Sequence, residues 1–346
     1  MPDPTDHPHA VAWLAPDQAP GVRAVAEACG LRITSAGSPE KGKSGGVADT
    51  LGAEPIDDLR SAFAAAEADL ILITSPGSFG AGDGPDAQSV LGARERGVRI
   101  ASLEPVPASA LELGGGGWTR STHGVRPIDA IRVAPMMGFG RSWRDAADAI
   151  ENFGPVRTLH VEALGRPEHG SLGARLHSAM GLVHARLGMP EMIYASSVGP
   201  IAGVSRTVSD DSLRNLHGDV SAVLRYADGR AASIVASNQS PAWDHSALML
   251  GEEGRLRITD DSMRWDHLSA EEPDEQQVAW APALGQLGPF ERALADAIAR
   301  LLDPRTPADV PVDHASVLAM SQAALLSART GQGESADMIR KLAIGE

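Results

Sequence analysis

One cysteine in 346 residues, Cys29, leaves no material for an intrachain disulfide or a thiolate metal cluster. It falls in an apolar helical run and reads as a core thiol. Lysine is nearly as scarce, with Lys41, Lys43 and Lys341 the only examples. Arginine supplies the remaining positive charge, yet the formal balance is still −15 and the pI is near 5.1. A field of that sign repels phosphate backbones and anionic lipid. Nucleic acid and membrane surfaces are therefore not expected as partners, and an anionic dinucleotide gains nothing from it. No stretch approaches the roughly 20 apolar residues that cross a bilayer. The first ten residues are polar and lack the basic start and apolar stretch of a secretory signal, so the cytosol is the expected compartment.

The hydrophobic fraction of 43% is enough for a large interior, and the length favours two domains. The first third alternates short apolar runs with amphipathic helical runs. Ala10–Leu14, Leu31–Thr34, Asp69–Thr74 and Val98–Ser102 read as strands, and Gly21–Cys29, Ile56–Ala66 and Asp86–Arg96 as helices. Asp69–Thr74 (DLILIT) is apolar on both faces, the mark of a central strand in a parallel sheet. This order predicts a Rossmann-like, doubly wound parallel sheet over residues 1–125. Three glycine-rich stretches, 37–46, 77–84 and 114–124, read as surface linkers. Residues 126–346 change character. Pro155–Leu164, Pro190–Val198, Asp219–Tyr226, Ala231–Asn238, Ala247–Leu250 and Arg255–Thr259 read as strands, with an Asp-Gly hairpin turn at 227–230. A helical run, Gly173–Leu187, lies among them, and Phe290–Leu302 and Ala315–Ala328 close the chain. The second domain is thus expected to be α/β with a large, mostly antiparallel sheet, its final helices free to pack back on the first.

The passage Asp69–Pro105 resembles the Gfo/Idh/MocA family of NAD(P)-dependent sugar and polyol dehydrogenases. DLILITSP is similar to that family's strand ending in a Thr-Pro turn. AQSVLGARERGVRIASLEP is similar to its next helix and the strand that ends at a Glu-Lys-Pro motif. Further along, the hairpin, the Gly251-Glu-Glu-Gly254 turn and the Ser327-Ala-Arg-Thr-Gly331 helix end follow the family's order. The resemblance implies a dinucleotide-binding domain followed by a substrate and oligomerisation domain. It also implies a homo-oligomer, or a complex with a paralogous subunit, and a small sugar-like ligand.

Set against the family's motifs, the functional positions depart. Ala15, Asp17 and Pro20 stand where three glycines should let the backbone approach a pyrophosphate. A carboxylate about 5 Å from a phosphate charge costs roughly 3 kcal/mol at an effective dielectric of 20. As an ordinary helix start, the same residues make Asp17 a cap and place Pro20 in the first turn. No acid follows the second strand to hold a ribose; Ala36 falls near that place, and Ser35, Ser38 and Lys41 offer at most a ribose-phosphate contact. Thr74, Ser75 and Pro76 would edge a cofactor pocket, or simply form a turn. The family's catalytic lysine aligns with Glu104, which reverses the charge and donates nothing when ionised. The family's Asp and His, four apart on one helix face, become Gly173 and His177. A lone His on an apolar helix is ordinarily a core or pocket residue; as an active group it would be the surviving general base. Arg175 and His184 offer substrate contacts, while Met180 stands where another acid is common. Asp244-His245, read as loop, and Asp266-His267 lack zinc spacing, so no metal is expected. His314 reads as a cap or surface residue.

Three readings follow. The first is a homologue with degraded motifs, holding NAD(P) weakly or not at all, that acts as a non-catalytic subunit or a sugar-like ligand binder. The second is an active NAD(P)-dependent oxidoreductase with an atypical site built on His177. The third is a cofactor-independent sugar-acid lyase or hydratase with Glu104 and His177 as its acid/base couple.

Overall fold

The computed structural model describes residues 7–65, 67–82, 85–121, 124–199, 212–268, 275–279, 287–306 and 312–344. The chain forms two compact units, Met1–Ala134 with Gln286–Pro311, and Pro135–Gly285 with Val312–Glu346. Among the described residues no helix is long and apolar enough to cross a membrane.

The first unit holds six strands: β1 (His9–Trp13), β2 (Arg32–Gly37), β3 (Glu54–Ile56), β4 (Leu70–Ile73), β5 (Arg99–Ser102) and β6 (Ile131–Val133). They pair in the order β3-β2-β1-β4-β5-β6, every pair parallel. The order reverses between β1 and β4, which makes their C-terminal ends the topological switch point. Leu70, Ile71, Leu72 and Ile73 are all buried, as a central strand covered on both faces requires. The helices are α1 (Ala19–Cys29), α2 (Ser44–Leu51), α3 (Leu59–Ala65), α4 (Asp86–Glu95), α5 (Ala110–Gly115) and α6 (Pro127–Ala130). Cys29 is half-buried in α1, its thiol pushed up to about 11 by burial and then by Asp296.

The second unit is built on eight strands: β7 (Val156–Leu164), β8 (Met192–Val198), β9 (Asp219–Arg225), β10 (Ala231–Ser237), β11 (Asp244–Gly251), β12 (Gly254–Thr259), β13 (Ser262–His267) and β14 (Glu275–Ala279). Their order is β14-β13-β12-β11-β7-β10-β9-β8. Among the described residues, β7 and β10 pair in parallel and the other neighbours are antiparallel. Alternation sorts the faces. Leu159, Val161 and Ala163 of β7 are buried, whereas His160 and Glu162 between them are half-exposed. Helices α7 (Arg141–Asp145), α8 (Ala147–Asn152), α9 (Leu172–Leu187), α11 (His314–Thr330) and α12 (Ala336–Ile344) belong to this unit. Helix α9 packs on β7 and β10, and α11 packs on α9 and β8. Helix α10 (Pro289–Leu302) belongs to the first unit, where it packs on α1.

The fold class is the one expected, but several local expectations are corrected. The glycine-rich 37–46 stretch is a short connection into α2, and Ile56 ends a strand instead of starting a helix. Asp244 and His245 lie on β11, not in a loop. The stretch 77–84, described up to residue 82, is no loose linker. Asp86, 2% exposed, takes both Arg60 nitrogens at 2.6 and 2.9 Å and the Gly80 N–H at 2.7 Å. Phe79 stacks on Phe63 with ring centroids 4.9 Å apart. Trp118 is fully buried in the third glycine-rich stretch, described here over 114–121. Glycine content mispredicted these segments because a few buried side chains outside the glycine pattern hold them. Asp86→Ala is expected to lower stability by about 2–3 kcal/mol, by stranding the half-buried Arg60 and freeing the Gly80 N–H; urea unfolding followed by circular dichroism measures it.

Candidate functional site

The β1–α1 connection occupies the switch point of the first sheet. Pro16–Gln18 make one 3-10 turn, and α1 begins at Ala19 with Pro20 in its first turn. Gln18 is buried, and its carboxamide binds the turn together. Oε1 accepts from the Ala15 N–H at 3.0 Å and from the Thr74 hydroxyl at 2.7 Å, while Nε2 donates to the Thr74 carbonyl at 3.4 Å. The contact to Ala15 is one half of a capping box. Asp17 is exposed and makes no cap, contrary to the expectation from sequence; Gln18, three residues on from Ala15, takes that work.

The other donors at this edge are also committed. The Leu14 N–H donates to the Gly37 carbonyl at 3.0 Å, the Gln18 N–H to the Ala15 carbonyl at 3.1 Å, and the Thr74 and Ser75 N–H groups to the Trp13 carbonyl at 2.8 and 3.4 Å. The loops after β2 and β4 meet directly, since a Cβ added at Gly77 would stand 2.5 Å from the Pro39 Cβ. The Trp13 indole lies against Gly37, where an added Cβ would be 2.6 Å from the ring. A dinucleotide needs free N–H groups and open backbone here. These residues fit one poorly: the N–H groups of Leu14, Ala15, Gln18, Thr74 and Ser75 are bonded within the chain.

Of the residues singled out for a cofactor, Thr74 is buried and bonded to Gln18, Pro76 is buried and Ser75 half-buried in the same turn. Ser35 stands apart, within β2 and opposite Val11 and Glu54, two residues before the strand ends. Ser38 is buried with its N–H on the Ser44 hydroxyl, and Lys41 is exposed. Glu104 is 8% exposed just past β5, and its carbonyl accepts from the Ser102 hydroxyl at 2.7 Å.

In the second unit, α9 is buried on nearly every side. Ser171 caps it by accepting from the Ala174 N–H at 3.1 Å. Segment 212–218 lies across its first turn, with the Leu172 N–H donating to the Leu216 carbonyl at 2.8 Å. A Cβ at Gly173 would come within 2.1 Å of the Leu213 carbonyl oxygen, so the backbone of that segment fills the place an aspartate would need. Asn238, fully buried, secures the segment by accepting from the Gly218 N–H at 3.0 Å.

The three polar side chains expected from α9 do not converge. Residues 175 and 177 are two apart, roughly 200° around the helix, and so face apart. Arg175, 2% exposed, lies over Trp243 with its Cζ 4.2 Å from the ring and also donates to the His169 carbonyl. His177 is fully buried and stacks on His314, centroids 5.7 Å apart and 3° from parallel. His314, expected at a surface or as a cap, is therefore buried, because α11 packs along α9; Asp313 provides that cap. Neither His177 ring nitrogen has a hydrogen-bond partner among the described residues. Burial, and then His314, hold its basicity well below the usual imidazole range. His184, two turns further along, is half-buried near Asp313 and Arg340, its basicity lowered chiefly by burial. Among the described residues no three His, Cys, Asp or Glu side chains stand together as a metal site. Sequence reasoning missed Gln18, Leu213 and Asn238; only Gln18, three residues after the turn begins, left a local signal.

Gly173→Asp, which introduces the residue that the resemblance implies here, is expected to destabilise by about 3 kcal/mol because Leu213 blocks it; thermal unfolding measures this. The unfolded chain protonates His177 below about pH 6.5 while the folded chain resists, so stability falls with pH below that value. His177→Phe is expected to gain about 2 kcal/mol on the parent between pH 7 and pH 5, measured by urea unfolding at both.

Neither a search of protein-family models nor one of curated protein sequences finds a match. Solved structures do match. An NAD-binding oxidoreductase from Klebsiella pneumoniae has TM-score 0.65 at 14% identity, covering 96% of this chain and 99% of that one. A levoglucosan dehydrogenase complex with NADH and levoglucosan has TM-score 0.65 at 14% identity, covering 96% and 100%. A myo-inositol dehydrogenase from Corynebacterium glutamicum has TM-score 0.58 at 16% identity, covering 95% and 99%. At such identities the likeness is one of fold, and the chain has the fold of the Gfo/Idh/MocA dehydrogenases along nearly its whole length.

Proposed function

We propose that this chain keeps the dehydrogenase fold without the hydride chemistry. In this reading it is a cytosolic, non-catalytic subunit or a binder of a small polyhydroxylated molecule. One observation carries the reading: the switch-point turn is closed by Gln18 on Thr74, so the Ala15 N–H and the Thr74 hydroxyl, groups that would face a diphosphate, are already bonded. Further support comes from Glu104 in the lysine position and from Leu213 in the space of the missing aspartate. His177, buried and held neutral, gives the oxidoreductase and lyase readings a poorly placed base. Levoglucosan and myo-inositol stand in the names of similar structures, and a sugar-like ring is the ligand class taken over from them.

Assembly is part of the proposal, as a homo-oligomer or with a paralogous chain. Tyr194 and Val223 face each other across β8 and β9, and with Val198 they are 45%, 52% and 69% exposed on the face of the second sheet away from α9. An apolar strip of this kind favours burial against another chain.

Titration calorimetry with NADH and NADPH tests the central point. No heat of binding is expected at micromolar concentrations, and micromolar affinity for either would overturn the reading. Val223→Glu is expected to lower the assembled mass seen by light scattering; an unchanged mass would exclude this face as the contact.

A further inference from the structure

The connection after β2 carries a pattern that the proposed function leaves unused. In Gly37-Ser-Pro-Glu-Lys-Gly42-Lys43-Ser44 two glycines stand five apart, and Lys and Ser follow the second. This is the spacing G-x-x-x-x-G-K-S/T of loops that wrap phosphate groups, and it has meaning only between a strand and a helix. That context is present: β2 ends at Gly37 and α2 begins at Ser44. Lysine usage points to the same place. Two of the protein's three lysines, Lys41 and Lys43, stand in this loop, whereas arginine supplies nearly all the other positive charge. Both are exposed, with Glu40 the one acid among residues 37–46. In a chain of net charge −15, a loop with a positive balance is a place where an anion is drawn.

The backbone here is left open where the β1–α1 turn is closed. Three bonds fold the loop: the Lys43 N–H to the Glu40 carbonyl at 3.1 Å, the Glu40 N–H to the Ser38 hydroxyl at 3.2 Å, and the Ser38 N–H to the Ser44 hydroxyl at 3.4 Å. The first bond along α2 runs from the Val47 N–H to the Lys43 carbonyl at 3.1 Å, and no side chain caps the helix. The N–H groups of Ser44, Gly45 and Gly46 are thus without partners among the described residues. Gly42 has φ +74°, so its turn calls for glycine. Gly45 and Gly46 have no such reason. They lie inside the helix, and a Cβ added at either would meet nothing within 4 Å. Alanine would favour the helix at both places; glycine there gives a ligand close access to the backbone. A separate group also lacks an explanation within the chain. The Trp13 indole, 5% exposed, lies against Gly37, and its N–H has no partner among the described residues. A buried donor without an acceptor is costly unless something outside the chain supplies one.

We propose that the 37–46 loop binds the linked terminal phosphates of a small molecule, held by the N–H groups that open α2 and by the Lys43 ammonium, with Lys41 adding charge at the rim. The chemistry recognised is a free-ended di- or triphosphate, whether inorganic or carried by a nucleoside. The N–H groups meet phosphate oxygens in the positive field of the helix start, and lysine adds a compact charge. This goes beyond the reading of the β1–α1 turn and does not rest on it. A nicotinamide dinucleotide has its diphosphate esterified at both ends and presents no free-ended chain to such a loop.

Titration calorimetry of the full chain in a magnesium buffer tests the site with sodium triphosphate, ATP and NADH as probes. Triphosphate and ATP are expected to bind with micromolar affinity, and NADH to give no heat. Tighter binding of ATP than of triphosphate would assign the phosphates to a nucleotide, and equal binding to the phosphate chain alone. Lys43→Ala is expected to weaken triphosphate binding roughly tenfold; Lys341→Ala, on α12, leaves it unchanged. Gly46→Ala separates the ligand from the fold. It is expected to raise the melting temperature by about 2 °C while weakening triphosphate binding roughly fivefold, a split that a purely structural glycine would not give. Absence of heat with triphosphate, or an affinity unchanged in Lys43→Ala or in Gly46→Ala, would overturn the proposal. Heat with NADH would count against the reading of the closed β1–α1 turn, and the triphosphate result decides this site separately.

Discussion

The backbone donors at the C-terminal edge of a parallel sheet must be satisfied by something, and here the Gln18 carboxamide and neighbouring carbonyls do it. In a dinucleotide fold that edge is left open, and the ligand completes its hydrogen bonding. Gln18 completes it from within, linking the first turn to the end of β4 across the point where strand order reverses. Other features agree with a closed edge: Pro20 can follow without losing a useful donor, Asp17 can point to water, and Pro39 can rest on Gly77. None of these conflicts with the bonded turn around Gln18.

The second unit satisfies its polar groups by packing. Helix α9 lies between the sheet and α11, so every polar group on it must find a partner or remain neutral. Arg175 finds Trp243 and the His169 carbonyl. His177 stays neutral against His314. Removing a side chain at Gly173 allows segment 212–218 to settle on the helix, with Asn238 holding it there. Gly173 and the Leu213 carbonyl that lies over it are thus one packing feature, and polar residues two apart cannot gather around a common ligand.

Buried ionisable groups follow the same rule with different outcomes. Asp86 is met at close range by the Arg60 guanidinium and a backbone N–H. Asp260 has one good donor and two acidic neighbours, and it holds its proton to near neutrality.

Local pattern was enough to determine much of this protein. Four apolar residues in a row placed β4 at the centre of a parallel sheet, alternation placed β7 and β9, and Asp-Gly turned the hairpin, because burial and backbone preference act over a few residues. Glu104, Asp17 and Gly173 were visible as departures from a motif. The tertiary structure alone decided what fills the gaps those departures leave. Gln18 meets Thr74 56 residues away, Leu213 covers Gly173 from a segment 40 residues downstream, and Asp260 reaches Trp243 across a strand pair. It also turned two glycine-rich stretches into anchored structure through Asp86 and Trp118. A hydrogen bond or steric contact between distant positions depends on which atoms the fold brings within about 3 Å, and no local periodicity carries that distance.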